Sequence, residues 1–380
     1  MKKCLEGSNA IAHVVNSCKP GVVSAYPITP QTHIVEDLSK LNADGESGFE
    51  FVRAESEFAA ASIVLGASAT GVRSYTATSS QGLLLMTEVL FTIAGMRLPM
   101  VMTCANRAVS APINIWNDQQ DSMTVRDSGW IMLYAEDNQE AVDLHPVAFK
   151  VSEQLRLPVM INVDGFILTH TYQGLDIPTA KELAAFLPEY VPQKGQILDV
   201  KNPVSLGCFA TPSDYMEIRE DLYIDLKNST KILKKELANY KKMFKRGSSE
   251  LVEYYGDKKA KTVFVAMGSV VGTIKDAVDE LNEEGKSVAV VKVKCFRPMP
   301  EAELLSKLTN AKNIAVVDKS ISLGKEGILA TEIKSICRQK NQKIQSFITG
   351  LGGRDITKKM IKGIYKKVLS KDNKIVFVKK

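Results

Sequence analysis

Residues 49–77 read Phe49-Glu50-Phe51-Val52-Arg53-Ala54-Glu55-Ser56-Glu57-Phe58-Ala59-Ala60-Ala61-Ser62-Ile63-Val64-Leu65-Gly66-Ala67-Ser68-Ala69-Thr70-Gly71-Val72-Arg73-Ser74-Tyr75-Thr76-Ala77, and this stretch decides the fold class. Phe49 to Val52 is a short apolar-rich run of strand type. Ser56 to Thr70 is a helix rich in small residues, which let it lie close to a sheet or to another helix. Ser74 to Ala77 is a second strand. Strands alternating with helices in this way point to a parallel sheet covered on both faces.

The alternation continues in both directions. Upstream, Ile11, Val14, Val15 and Cys18 follow the i, i+3, i+4, i+7 rule of an amphipathic helix. Ser8 or Asn9 could cap it, and Pro20-Gly21 ends it. Val22 to Ala25 reads as a strand. Tyr26-Pro27-Ile28-Thr29-Pro30 must be a loop, because two prolines cannot sit in a central strand. Gln31 to Leu41 returns to helix. Downstream, Thr78 to Gly82 is a polar loop and Leu83 to Ile93 a helix. Met100 to Cys104, Ile131 to Ala135 and Val159 to Val163 have the apolar character of buried strands. Tyr215 to Arg246 is long, charged and rich in good helix formers, the pattern of an exposed connector. A second alternating unit follows, with strands at Thr262–Ala266, Ser287–Lys292 and Asn313–Val317 and a helix over 273–284. Ile344 to Ile348 then leads into Gly350-Leu351-Gly352-Gly353-Arg354-Asp355. The expectation is an α/β protein of two doubly wound domains, 1–170 and 256–380, joined by a helical connector at 171–255.

Composition narrows the function classes. The 380 residues are 45% hydrophobic and 24% charged, as in an ordinary globular protein. No apolar run is long enough for a membrane helix, and Met1 to Gly7 lacks a signal core, so a cytoplasmic location is expected. None of Cys4, Cys18, Cys104, Cys208, Cys295 and Cys337 belongs to a Cys-x-x-Cys pair. The chain is therefore not expected to build an iron–sulfur cluster alone, and its cysteines read as small buried apolar residues. The net charge of +6 is local. Nine lysines and Asp372 after Asp355 give the tail +8, leaving about −2 for the rest. That tail lacks interleaved aromatics, and nucleic acid is not an expected partner.

In open α/β sheets, ligands bind at the carboxyl ends of the strands. Four polar stretches follow strands of the first unit: Tyr26–Pro30, Ala54–Glu57, Thr78–Gly82 and Asn106-Arg107. Glu57 lies in the first turn of its helix, where the unpaired N–H groups favour an anion. That place suits a structural acid as well as a ligand contact, and Glu55 competes with it. Arg107 is either a surface ion-pair partner or a fork for a carboxylate. Thr29 is held between two prolines and reads, unaided, as a turn residue. His13, His33, His145 and His170 show no metal-binding spacing, so no metal site is expected. No dinucleotide fingerprint and no P-loop is present.

Taken together, Tyr26-Pro27-Ile28-Thr29-Pro30-Gln31-Thr32, Glu55-Ser56-Glu57, Thr76 to Leu83 and Asn106-Arg107-Ala108 resemble the α subunit of the pyruvate:ferredoxin oxidoreductase family. Trp116 to Trp130, Phe296-Arg297-Pro298 and Gly350 to Asp355 extend the resemblance over almost the whole chain. One departure is Phe58, where the family often has histidine. The resemblance implies a thiamine diphosphate pyrimidine-binding domain followed by a domain of the transketolase C-terminal type. It implies that Glu57 activates the cofactor ring, with Pro27, Ile28, Ser79 and Ser80 also around the cofactor and Thr29 and Arg107 on the 2-oxoacid. The Gly-Asp-Gly motif of a magnesium–diphosphate site is missing, as is any cluster motif. By resemblance, a β subunit shares the thiamine diphosphate and carries Mg2+ and a [4Fe-4S] cluster. Further γ-type and ferredoxin-like δ-type subunits are implied, with pyruvate and CoA as substrates and ferredoxin as electron acceptor. The rival readings are a branched-chain (2-oxoisovalerate) enzyme, a non-catalytic assembly subunit and a self-contained transketolase-like enzyme.

Overall fold

The computed structural model describes residues 2–337 and 342–379; Met1 and Lys380, at the outer ends of the two expected domains, lie outside the described residues. In chain order the strands are β1 (Lys3–Glu6), β2 (Val22–Ala25), β3 (Glu50–Arg53), β4 (Ser74–Thr78), β5 (Val101–Asn106), β6 (Ile131–Tyr134), β7 (Val159–Asp164), β8 (Tyr172–Leu175), β9 (Val252–Gly256), β10 (Thr262–Ala266), β11 (Val288–Val293), β12 (Cys295–Arg297), β13 (Asn313–Asp318), β14 (Lys343–Ile348) and β15 (Val376–Phe377). One large sheet has the order β12-β6-β7-β5-β4-β2-β3 and the other β15-β14-β13-β10-β11-β9. Both are parallel except at one edge, where β12 runs against β6 and β9 against β11. This is the α/β architecture that the alternating sequence predicts. β5, β6 and β7 are buried along their whole length, which is why they read as apolar runs rather than alternating ones.

The helix Glu57–Ala69 follows β3 after three residues. Ser56 caps it, its Oγ accepting from Ala59 N at 3.1 Å. Ala60, Ala61 and Val64 are buried, as the small-residue reading requires, whereas Gly66 faces open space.

Several details differ from the sequence reading. The first helix spans Gly7–Ser17, and neither Ser8 nor Asn9 caps it. Glu6 takes the N-cap position, and Ser8 lies within the helix, its Oγ donating to Thr169 O at 3.0 Å. The expected helix 83–93 is two helices, Ser80–Leu85 and Thr87–Gly95, broken at Met86. Cys4 and Cys208 are exposed, while Cys18, Cys104, Cys295 and Cys337 are buried. The expected exposed connector helix, Tyr215–Phe244, is not a free arm. Leu222, Leu233, Leu237 and Tyr240 are buried in the core that includes Leu144 and Val147 of the helix Asn138–Leu155. Burying each of the leucines contributes about 1.5–3 kcal/mol, enough to hold a charged helix against the body. β8 turns back to pair with β1, and β12 adds a strand to the first sheet from far along the chain. Part of the lysine tail forms the helix Lys358–Leu369, whose Lys358 and Lys362 pair with Glu280. The acidic partner of these two lysines thus lies within the chain.

The two sheets meet at their carboxyl ends. Asp164 ends β7 and is 1% exposed. It accepts from Lys319 Nζ at 2.8 Å, just past β13, and from Ser269 N at 2.8 Å, just past β10. Gln119 N donates to Lys319 O at 2.8 Å across the same junction.

Candidate active site

The crevice follows from the strand order. From β2 the chain steps outward to β3, then returns past β2 to β4, so the loops after β2 and β4 part at a topological switch point. The loop after β2 is held by Gln31. Its Nε2 donates to Ala77 O of β4 at 2.7 Å, and its Oε1 accepts from Ile28 N at 3.1 Å. Pro27 and Thr29 are thereby left exposed at the rim, with Ile28 half-buried.

Glu57 and Glu55 separate cleanly: Glu55 is exposed, and Glu57 is 7% exposed. Among the described residues, no hydrogen bond or ion pair engages the Glu57 carboxylate. Its surroundings are visible from Gly82, where a Cβ would fall 2.5 Å from Thr78 Oγ1 and 2.7 Å from Glu57 Oε1. The carboxylate therefore lies against the end of β4 and the helix that follows. There the buried Thr76 Oγ1, Thr78 Oγ1, Ser79 Oγ and Gln81 Nε2 have no hydrogen-bond partner among the described residues. Buried polar atoms are nearly always paired, and a cluster of unpaired ones beside a free carboxylate marks a ligand site. Ser80 is used differently: its Oγ donates to Ala108 O at 2.5 Å and its N to Asp121 Oδ2 at 2.9 Å.

Arg107 is 9% exposed. Its Nη1 donates to Thr29 O at 2.9 Å and its Nε to Asn114 O at 3.1 Å; Nη2 takes no part in these bonds. The structure thus joins Arg107 to Thr29 directly, though through the threonine backbone. Burial lowers the guanidinium pKa, and the Asp121 charge opposes that shift.

Asp121 is the organiser that sequence reasoning missed. Fully buried, it accepts from Ser80 N, Arg107 N, Ser122 N and Asn106 Nδ2, all within 2.9 Å. One carboxylate thereby fixes the loops after β4 and β5 to each other. Burial raises its pKa, and those four bonds pull the other way. The only signal was its place in the polar run after Trp116. The Arg107 loop is braced from the second sheet as well. Asn114 Nδ2 donates to Gly352 O at 3.2 Å and Gly353 N to Asn117 O at 2.6 Å. Gly353 has φ 79°, and a Cβ there would collide with Trp116, so the Gly350–Asp355 motif serves close approach.

The chain matches two family models, "pyruvate flavodoxin/ferredoxin oxidoreductase, thiamine diphosphate-binding" over residues 13–237 and "pyruvate:ferredoxin oxidoreductase core domain II" over 260–361. It is 48% identical to the pyruvate synthase subunit PorA of Methanocaldococcus jannaschii, covering 93% of this chain and 91% of that one. It is 44% identical to the subunit of the same name from Methanothermobacter thermautotrophicus, covering 99% and 97%. A ketoisovalerate oxidoreductase subunit VorA from Pyrococcus abyssi is 42% identical, covering 96% and 92%. Among solved structures, a 2-oxoglutarate:ferredoxin oxidoreductase from Magnetococcus marinus superposes with a TM-score of 0.76 at 20% identity. That match covers 97% of this chain and 65% of the solved one, and it supports the fold.

Proposed function

The chain belongs to the pyruvate flavodoxin/ferredoxin oxidoreductase family, and from that premise we propose that it is the α subunit of a thiamine diphosphate-dependent pyruvate:ferredoxin oxidoreductase. The enzyme oxidises pyruvate with CoA to acetyl-CoA and CO2, reversibly, and passes the electrons to ferredoxin. The observation that carries this reading is Glu57, a buried carboxylate without a hydrogen-bond or ion-pair partner among the described residues, beside unpaired hydroxyls. Those atoms fit a flat polar ring: one acceptor that can share a proton, flanked by small donors. When bound, thiamine diphosphate supplies a nucleophilic carbon and an electron sink for decarboxylation. Glu57 holds or releases a proton towards the ring at its free carboxylate, an acid–base task that contributes about 10²–10⁴-fold. Thr78 and Ser79 offer hydroxyls to the ring, while Pro27 and Ile28 form the rim. Arg107, with Nη2 uncommitted, meets the substrate carboxylate, and Thr29 orients the same group.

The activity is that of a multi-subunit complex. In this proposal a β subunit holds the diphosphate, Mg2+ and a [4Fe-4S] cluster, and γ-type and ferredoxin-like δ-type subunits complete a cytoplasmic assembly. Tyr26, Phe58, Leu85 and Phe91 support a partner over this face. They are large hydrophobic residues, 38–52% exposed, on the loop after β2 and on helices flanking the site. Among the described residues no helix is long and apolar enough to cross a membrane. The pyruvate relatives are somewhat more similar than the ketoisovalerate one, which favours pyruvate. Reconstituted with its partner subunits, the chain should support faster turnover of pyruvate than of 2-oxoisovalerate. Preference for the branched acid would overturn the substrate assignment, and full turnover by the isolated chain would overturn the shared site.

A further inference from the structure

Away from the Glu57 crevice, three residues distant in sequence converge. Glu6 ends β1, His33 lies in the first turn of the helix Thr32–Ala43, and His170 lies in the turn after β7. Glu6 Oε1 is 2.8 Å from His33 Nδ1 and 4.0 Å from His170 Nδ1. One ligand atom from each of the three falls within 4.8 Å of the others. The imidazole rings lie 4.6 Å apart, centroid to centroid.

We propose that Glu6, His33 and His170 bind one divalent transition-metal ion of the zinc class, clasping β1 and the turn after β7 to the helix that follows the Thr29 loop. Two imidazoles and a carboxylate are a common zinc set with a fourth position open to water. The nitrogen ligands argue against magnesium and calcium, which prefer oxygen. Tetrahedral bonds of about 2.0–2.1 Å put ligand atoms about 3.4 Å apart, so the 2.8 Å Glu6–His33 contact must lengthen and the 4.0 Å Glu6–His170 contact shorten, each by about 0.6 Å. The side chains are 16–44% exposed, which gives an ion a path in and leaves room for water. The His170 ring is already held in place. Phe166 lies beside it with ring centroids 4.6 Å apart, and for Nδ1 to take the ion it must give up its 2.7 Å contact with Thr169 Oγ1. Asp37, one helical turn beyond His33, feels the charges of Glu6 and His33 and adds negative field to the cluster. The clasp bears on the site region through Gly165 at the start of the same turn, where a Cβ would fall 2.5 Å from Pro30 Cγ. A plain Glu6–His33 ion pair explains the 2.8 Å contact but not the convergence of His170.

The test is zinc retention by the full chain. Wild type, His33→Gln, His170→Gln and Glu6→Gln are stripped with a chelator, equilibrated with zinc chloride, desalted and assayed for bound metal. Cobalt substitution gives a second, spectroscopic readout. The expected result is one ion held by the wild type, with affinity at least about tenfold weaker in each variant that keeps the wild-type circular dichroism. The cobalt absorption of a tetrahedral site should disappear in the same variants. Equal retention by wild type and all folded variants, or no retention by the wild type, would overturn the proposal.

Discussion

Glu57 and Asp164 stand at the carboxyl edge of the same sheet, both buried, and their surroundings are opposite. Asp164 is saturated: Lys319, Ser269, Asn117 and Gln119 all donate to it. Burial works against its charge, but the Lys319 ammonium and these bonds outweigh that and lower its pKa. Among the described residues Glu57 has no hydrogen-bond or ion-pair partner, and the hydroxyls beside it are unpaired. The first carboxylate is used up in joining two sheets. In the proposed function, the second keeps its bonding capacity for the cofactor. A buried polar group left unpaired costs about 1–3 kcal/mol, a cost that a bound ligand would remove.

Substitutions at the two places should separate stability from turnover. The largest effect is expected at the joint. Lys319→Met leaves the Asp164 charge buried without its cation and should cost about 3–5 kcal/mol in denaturant unfolding. A loss under 1 kcal/mol would mean that Asp164 is not the structural counterpart of Glu57. Next comes Gly82→Ala. In an exposed helix this change stabilises by up to about 1 kcal/mol. Here the added methyl meets Thr78 and Glu57, and turnover of the complex should fall about 10²-fold while the melting temperature holds. Asp318 sharpens the contrast with a smaller, pH-dependent effect. Burial pushes its carboxyl up to about 7, against N–H bonds from Leu329 and Ala330. The unfolded chain gives up that proton near pH 4 and the folded chain only near 7. Stability from this group is therefore full below about pH 4 and falls as pH rises to about 7. Asp318→Asn should flatten that part of the melting-temperature profile; an unchanged slope would remove Asp318 as its source.

Local chemistry was legible in the sequence, and long-range convergence was not. Val22–Ala25 and Thr262–Ala266 are strands to the residue, because apolar runs act over a few positions. The burial of Leu222, Leu233, Leu237 and Tyr240 was also readable, since they form a helical stripe, but the charge around them masked it. Asp164 gave no local sign, and Asp121 only its place in a polar run. Their partners lie up to 155 residues away, and only the folded sheet brings them together. The same holds for Glu6, His33 and His170, and for β12, which joins a sheet formed mostly by residues before position 165. Within the site, Glu57, Thr29 and Arg107 were singled out by motif as separate residues, while the bond from Arg107 Nη1 to Thr29 O was not foreseen. The commitment of Ser80 Oγ to Ala108 O was visible only in three dimensions.

The most direct measurement is Glu57→Gln in the reconstituted complex, read for pyruvate turnover and thermal stability together. Turnover should fall by about 10²–10⁴-fold with the melting temperature essentially unchanged, because among the described residues no hydrogen bond or ion pair depends on the carboxylate. Near-normal turnover, or a loss of stability like that of Lys319→Met, would contradict the assignment of Glu57 as the carboxylate kept free for the cofactor.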